Sequence, residues 1–181
     1  VDVNHDGLLD EEDVVYLGCS DPIVYGGISN DFTIAKRLTL GVYFAYSLGG
    51  KMYNLSELWL GTGSSSYNKY RYMLDAWTPD NPDSDIPAPY REDLYGCSRF
   101  IHDASYLRLK TVSIEYNIPL PKQAMKYIKS LIVGVSGDNL WLLKNYNGFD
   151  PDVNTSSAVY RLDNGSFPRP RTVIGKISMV F

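Results

Sequence analysis

The feature that most constrains the fold is a strict alternation of side chains over residues 37–49. Every even-numbered residue from 38 to 48 is apolar, whereas the residues between them are charged, hydroxylated, small or tyrosine. A period of two places these two sets on opposite faces of a β-strand. The run is about twice as long as a typical strand of a soluble domain, and its apolar face continues to both ends. Such a face suits contact with lipid better than contact with a small core.

Four more segments are predicted as strands. Residues 22–34 repeat the even parity, so we expect them to form a hairpin with the first run, around a tight turn at Ala35 and Lys36. The other three predicted strands are Tyr106–Ile118, Ser130–Leu143 and Thr172–Phe181.

The first half of the strand at 106–118 carries two basic side chains. Leu107 and Leu109 alternate there with Arg108 and Lys110, which mixes the two faces. A lipid-facing Arg or Lys costs about 2–4 kcal/mol near the midplane of a membrane and little near its edge. We therefore predict that this half of the strand lies at or above the membrane rim.

The connections alternate between short and long, as in outer-membrane barrels, where short turns lie on one side and long loops on the other. The sequence thus predicts an all-β fold: about five C-terminal antiparallel strands of a large transmembrane outer-membrane β-barrel with long extracellular loops. The predicted parts are an acidic external loop at 1–21, a hairpin at 22–49, a long external loop at 50–104, a hairpin at 105–143, an external loop at 144–170 and a closing strand at 171–181.

The composition of the chain and the residues at its two ends argue against several classes of protein. A net charge of −4 argues against a nucleic-acid binder. The chain contains no run of about 18 apolar residues, so no transmembrane helix is predicted. A barrel strand needs only about 9–11 residues. The chain starts at Val1 without an initiator Met or a signal peptide. We expect a C-terminal piece of a longer protein whose missing part precedes Val1, because an aromatic at Phe181 is typical of the last strand of a barrel.

Four stretches resemble the SusC/RagA family of TonB-dependent outer-membrane transporters, in the family's order and as far as the last residue. Asp103–Pro119 resembles the family strand "ASYLRLKNVTLGYTLP", and Leu131–Trp141 resembles "LRVYVSGQNLF". Gly148–Val153 resembles "GYDPEV", and Phe167–Phe181 resembles "YPRPRTFTFGLNLTF". The chain departs from the family at its two cysteines and matches it only loosely over 50–104.

The resemblance implies nutrient uptake of oligosaccharides or peptides across the outer membrane of a Gram-negative bacterium of the Bacteroidetes type. It also implies a SusD-like surface lipoprotein as a lid, and energy from the TonB complex through an N-terminal part that this chain lacks. Outer-membrane lipid would be the remaining partner.

The N-terminal residues have the spacing of an EF-hand-like or dockerin-like calcium loop. Oxygen ligands at loop positions 1, 3, 5 and 12, a backbone carbonyl at position 7 and Gly at position 6 suit Ca²⁺. The alternative is an acidic surface turn. The candidate ligands are Asp2, Asn4, Asp6, Leu8 and Asp13.

Two cysteines precede predicted strands on the predicted external side, where disulfides are permitted. Cys19 and Cys97 could pair, because their strands are separated by one hairpin partner. Two unpaired thiols are equally compatible with the sequence.

Aromatic residues fall into two groups. The long external segment contains several that could stack on a sugar or peptide or pack against a lid protein, or that simply fold the loop onto itself: Trp59, Tyr67, Tyr70 and Trp77. A second group on the strands is predicted to face lipid or to form the aromatic girdles: Tyr46, Tyr116, Trp141 and Phe181.

No constellation typical of an enzyme is present, since His5 and His102 have no paired Cys or His at metal spacing and Ser64–Ser66 lacks a G-x-S-x-G elbow. The main alternative to a transporter is a soluble extracellular β-sandwich that binds carbohydrate or protein and carries a dockerin-like calcium loop. The two differ in one property: a sandwich packs its apolar strand face against a second sheet, whereas a barrel leaves that face uncovered.

Overall fold

The computed structural model describes residues 3, 5–7, 11–63, 66–89, 97–153 and 161–181. A five-stranded antiparallel sheet dominates it, in the order β1-β2-β5-β6-β8. Its strands are β1 (Val24–Ile34), β2 (Leu38–Leu48), β5 (Tyr106–Asn117), β6 (Ser130–Lys144) and β8 (Thr172–Val180). The five strands predicted from the alternation are therefore confirmed. Each long strand pairs in the sheet with the long strand that precedes or follows it along the chain.

The register places most of the apolar residues of the five strands on one side, which we call the apolar face. Across the middle of the sheet, Val42 lies opposite Val112, and Val112 lies opposite Gly137. Two residues further along, Leu40 lies opposite Ile114, which lies opposite Val135. Even positions of β1 pair with even positions of β2, as predicted. The opposite face carries polar side chains, including an ion pair of 2.8 Å between Lys176 and Glu115.

A β-bulge at Lys110 corrects the prediction for the first half of β5. Tyr43 pairs with Thr111 and the next residue, Phe44, pairs with Leu109, so Lys110 is an extra residue on β5. A bulge of this kind shifts the parity by one. Leu107 and Leu109 therefore join the apolar face, and Arg108 turns to the opposite face. The faces are not mixed, and the basic residues give no reason to place this half of β5 at the membrane rim.

The turn between β1 and β2 is the tight turn predicted at Ala35 and Lys36. Both residues have positive φ, 49° and 59°, and the Arg37 N–H donates to the Ile34 carbonyl at 3.1 Å. Positive φ at both central residues defines a type I′ turn, which matches the twist of a hairpin but favours Asn-Gly. Ala and Lys therefore adopt a left-handed conformation that is costly for residues with a Cβ.

Replacing Lys36 with Gly is expected to stabilise the intact protein by about 1 kcal/mol, because Gly adopts positive φ without a steric penalty. Thermal unfolding of the folded protein in detergent would measure the gain. Lys36→Ala is the matched control, since it removes the charge and keeps the Cβ. An equal gain in both variants would contradict the explanation by backbone strain.

The predicted long loops contain structure of their own. A second, smaller sheet has the order β4-β3-β7, from β3 (Lys51–Asn54), β4 (Ile101–Asp103) and β7 (Arg161–Asp163). The helix α1 (Leu55–Leu60) follows β3 directly. We call this sheet, α1 and the described segments at 55–103 and 145–171 the lobe. Among the described residues, the buried apolar side chains lie in or beside the lobe: Met52, Leu58, Ala76, Phe100, Ala104, Tyr146 and Leu162.

The apolar face of the five-stranded sheet is uncovered. Ile28, Ile114 and Ile177 on three different strands are 55%, 44% and 77% exposed. A β-sandwich would bury these side chains under its second sheet, so the alternative of a soluble sandwich is wrong. Within the described part of the chain, helices are too short or too polar to cross a membrane.

Candidate functional site

The four residues predicted as girdle or lipid-facing lie on or at the end of the apolar face. Tyr116 pairs with Leu38 near one end of the sheet, where Phe181 also follows β8. Trp141 pairs with Leu109, and Tyr46 pairs with Leu107, near the other end. From Leu38 to Tyr46 a strand rises about 27 Å. This length, measured along tilted strands, is comparable with the apolar band of about 25 Å in outer-membrane barrels. Contact of the four residues with lipid stays a prediction.

A buried ion pair attaches the lobe to the five-stranded sheet. Arg108 of β5 and Asp150 of the lobe form a hydrogen-bonded ion pair and are 3% and 2% exposed. The Asp150 carboxylate also accepts hydrogen bonds from the backbone N–H groups of Asp152 at 2.9 Å and Arg169 at 3.2 Å. Burial alone would raise the pKa of Asp150, but these N–H donors and the guanidinium outweigh it and hold the pKa below its usual value.

Two further contacts surround that pair, one inside the lobe and one between the lobe and β6. Arg169 forms an ion pair of 3.1 Å with Asp152, and the Asn139 side-chain amide donates to the Pro170 carbonyl at 3.0 Å. Asn139 has a positive φ of 54°, a conformation that Asn tolerates better than most residues. The segment between β6 and β8 is thus held at both ends, near Asp150 and near Pro170.

A second polar network lies inside the lobe. His102 Nε2 is 2.5 Å from Glu57 Oε2, and the Tyr146 hydroxyl donates to Asp163 Oδ2 at 2.7 Å. The rings of His102 and Tyr146 meet edge to face, with centroids 6.0 Å apart. Burial, followed by the hydrogen bond to Asp163, raises the pKa of Tyr146. Tyr146 therefore remains a neutral donor at physiological pH.

Tyr146→Phe is expected to destabilise the lobe by about 1–3 kcal/mol, because the buried carboxylate of Asp163 loses a hydrogen bond that water does not replace. The exposed Tyr127→Phe is the matched control and should change stability by less than about 0.5 kcal/mol. Urea unfolding of the two variants would measure both values. An effect no larger than that of the control would show that the Tyr146 hydroxyl is dispensable.

The lobe contains an open cavity of about 780 Å³ beside this network. Tyr70 and Tyr72 stack at its wall with ring centroids 5.5 Å apart. Burial is the main cause that raises the pKa of Tyr72 to about 12. The wall combines these rings with carboxylates and amides, which can accept hydrogen bonds from a polar ligand. The lining residues include Asn54, Ser56, Glu57, Tyr70, Tyr72, Asn147, Phe149, Asp163, Ser166 and Phe167.

The structure brings only one of the four predicted contact aromatics to this cavity. Tyr70 lines it. Trp59 and Tyr67 instead form an edge-to-face pair, with centroids 6.5 Å apart, and they remain 37% and 63% exposed. Trp77 is 41% exposed, and its backbone N–H donates to the Ile86 carbonyl at 2.8 Å. Their contact with a substrate or a lid stays a prediction.

Sequence reasoning missed four residues of the polar network: Glu57, His102, Tyr146 and Asp163. One signal was available, because Asn54 and Glu57 have the spacing of a helix capping box. In the structure Asn54 Oδ1 accepts the Glu57 backbone N–H at 3.0 Å, so this pair starts α1.

The predicted calcium loop falls largely outside the described residues, since Asp2, Asn4 and Leu8 are not among them. Asp13 Oδ1 accepts the Val3 backbone N–H at 2.6 Å. Within the described ranges, His, Cys, Asp and Glu form no group of three or more that could hold a metal ion. Binding of Ca²⁺ stays a prediction.

The two cysteines lie outside the five long strands. Cys19 has an exposed thiol whose sulfur accepts the Asp21 N–H at 3.4 Å, and its carbonyl accepts the Lys51 N–H at 2.8 Å. Cys97 is half-buried, just before β4. A disulfide between them stays a prediction.

Comparison with known proteins identifies relatives along almost the whole chain. The TonB-dependent receptors P26 and P3 of Formosa agariphila are 31% and 32% identical to it over 99% of its length. The chain spans about a fifth of the length of these relatives, 19% and 18%. No protein-family model matches the sequence.

Solved structures also match this chain. The RagAB peptide importer matches in its open-open state with a TM-score of 0.74 over 90% of this chain, and in its closed-closed state with 0.73 over 88%. Sequence identity is 26% in both cases, and the match covers 17% of the RagAB chain. These relatives are named as receptors and importers rather than as enzymes.

Proposed function

This chain belongs to the TonB-dependent receptors of the SusC/RagA type, and we propose that it forms part of an outer-membrane transporter that imports peptides or oligosaccharides. The transporter would lie in the outer membrane of a Gram-negative bacterium of the Bacteroidetes type. It would take its energy from TonB, through a part of the receptor outside this chain, and would work with a SusD-like surface lipoprotein.

The observation that carries this proposal is the uncovered apolar face. Five adjacent strands of 9 to 15 residues expose aliphatic side chains on one side, with aromatic residues near both ends of that side. Monomeric soluble proteins rarely expose a contiguous apolar surface of this extent. A wall of a transmembrane barrel requires such a surface, together with a polar face toward the lumen.

The connections at the two ends of the sheet support an orientation of the sheet in the outer membrane. The turn at Ala35 and Lys36 and the connection 118–129 leave one end, which we call the short-turn end. The lobe and the segment before β1 leave the other end. Outer-membrane barrels have short periplasmic turns and longer extracellular loops. We therefore assign the short-turn end to the periplasm and the lobe to the cell surface, where a substrate or a lipoprotein could reach its cavity.

Uptake by the intact receptor tests the proposal. Deletion of its gene should abolish uptake of labelled oligopeptides or of labelled oligosaccharides by the host, and the intact gene should restore it. Unchanged uptake of both substrate classes, with the protein in the soluble fraction, would overturn the proposal.

A variant of the cavity tests the role of the lobe. Tyr70→Ala should weaken uptake at low substrate concentration by about tenfold if its ring contacts substrate or lid, since aromatic anchors often contribute more than about 1 kcal/mol. The control is Tyr16→Ala, at a residue that is 86% exposed and outside the cavity. Uptake equal to that of the control would exclude Tyr70 as a contact and leave the transport function intact.

A further inference from the structure

Five basic side chains lie at the short-turn end of the sheet, and all five are exposed. We call this set the basic rim. It comprises Lys36, Arg37, Lys122, Lys126 and Lys129.

Backbone hydrogen bonds hold the segments of the basic rim at one edge. The Asn117 N–H donates to the Arg37 carbonyl at 2.8 Å, which joins the β1–β2 turn to the end of β5. The Lys129 N–H donates to the Val180 carbonyl at 2.7 Å, which joins the connection 118–129 to the end of β8. The five charges therefore belong to one surface that extends across the sheet.

Negative charge is scarce at this edge, although the whole chain has a net charge of −4. The ranges 34–38, 115–131 and 176–181 are all described, and Glu115 is the only acidic side chain in them. Lys176 neutralises it, with Nζ 2.8 Å from Oε1. Within the basic rim, Lys129 Nζ donates to the Phe181 carbonyl oxygen at 2.8 Å. The other four side chains, Lys36, Arg37, Lys122 and Lys126, have no unpaired acidic side chain in these ranges to compensate their charge.

Exposed apolar side chains lie at the same end of the sheet as the basic rim. Tyr116 and Phe181, at this end of that face, are 40% and 72% exposed. Met125 and Tyr127 stand among the lysines and are 56% and 69% exposed, and Lys126 Nζ lies 5.7 Å from the Tyr127 ring centroid. Aromatic and apolar side chains beside lysines are typical of the boundary between acyl chains and headgroups.

We propose that the basic rim binds the phosphate groups of anionic phospholipids in the periplasmic leaflet of the outer membrane. The phosphates would lie against the ammonium and guanidinium groups while Tyr127 and Met125 contact the upper part of the acyl chains. Positive charge, exposed aromatics and a position at one end of the apolar face together favour lipid as the occupant. The proposal rests on the membrane-spanning function proposed above and adds a lipid preference to it.

The experiment uses the intact receptor purified in a neutral detergent, with phosphatidylglycerol as the probe and phosphatidylcholine of the same acyl chains as the uncharged reference. Native mass spectrometry gives the dissociation constant for each lipid. We expect phosphatidylglycerol to bind about tenfold more tightly, and the triple variant Lys36→Gln, Lys122→Gln, Lys126→Gln to lose this preference, since basic residues near a membrane surface attract anionic headgroups. The control triple variant Arg71→Gln, Arg99→Gln, Arg171→Gln changes three exposed residues away from this end and should keep the preference.

Salt supplies a second measurement that needs no variant. Raising the ionic strength from about 0.1 M to 1 M shortens the Debye length from about 10 Å to 3 Å, so the preference of the unmodified receptor should fall while binding of phosphatidylcholine stays constant. Equal binding of the two lipids, or a preference that survives either the rim variant or high salt, would overturn the proposal. Uptake by a receptor without lipid preference would leave the transport function standing and refute the lipid site alone.

Discussion

Replacing Val112 with Arg is expected to destabilise the intact receptor in a membrane by about 2–4 kcal/mol, the cost of a basic side chain on the lipid face near the midplane. Val112 lies in the middle row of the apolar face, between Val42 and Gly137. It lies two rows from Tyr116 at one end and two rows from Tyr46 at the other, with Trp141 in the intervening row. An Arg side chain there is too far from either edge to place its charge in water without distortion.

The matched control is Ser113→Arg, which adds the same side chain one residue along the same strand. Ser113 lies on the opposite face, where its hydroxyl covers Gly41 beside the carboxylate of Asp31. The new guanidinium would meet polar groups and water there, so we expect a change of less than about 1 kcal/mol. Unfolding in lipid vesicles, followed by the change in electrophoretic mobility between the folded and unfolded barrel, measures both variants. Equal costs for the two substitutions would contradict the assignment of the faces to lipid and lumen.

The alternation of side chains was sufficient to predict the five long strands, because it depends only on neighbours in the sequence. The parity of β5 could not be predicted in the same way. Its bulge at Lys110 is defined by pairing with Tyr43 and Phe44, about 65 residues earlier in the chain, and the bulge decides that Arg108 faces away from the apolar side. Sequence parity alone therefore misplaced a charge that the pairing places correctly.

The lobe was far less predictable, because its contacts join residues that are distant in the chain. Glu57 meets His102 across 45 positions, and Tyr146 meets Asp163 on a strand that pairs in parallel with β3. Strands of three or four residues carry too little period to be recognised. The motifs around Arg108, Asp150 and Arg169 were visible as separate family stretches, yet only the fold shows that these stretches meet at one buried carboxylate.

That carboxylate gives the second prediction. Arg108→Met should destabilise the junction of sheet and lobe by about 3–5 kcal/mol, because it leaves Asp150 buried without its cation. The double variant Arg108→Met, Asp150→Leu should recover only part of the loss, since it removes the unpaired charge but leaves the backbone N–H groups of Asp152 and Arg169 without their acceptor. Urea unfolding of the intact receptor measures the cycle. A double variant as unstable as Arg108→Met would show that the unpaired charge of Asp150 is not the cause of the loss.

Acid should act on the same pair, and the sign follows from the lowered pKa of Asp150. In the unfolded chain an Asp carboxyl has a pKa of about 3.9. The stabilisation from the ionised Asp150 carboxylate is therefore complete above that pH and is lost as the pH falls through the lower pKa of the folded state. The unmodified receptor should therefore lose stability in this acidic window. The Arg108→Met, Asp150→Leu variant lacks the group that titrates and should show a smaller loss over the same window. Because Asp150 attaches the lobe to β5, proteolysis between β6 and β8 should accelerate with acidification in the unmodified protein by a larger factor than in the double variant.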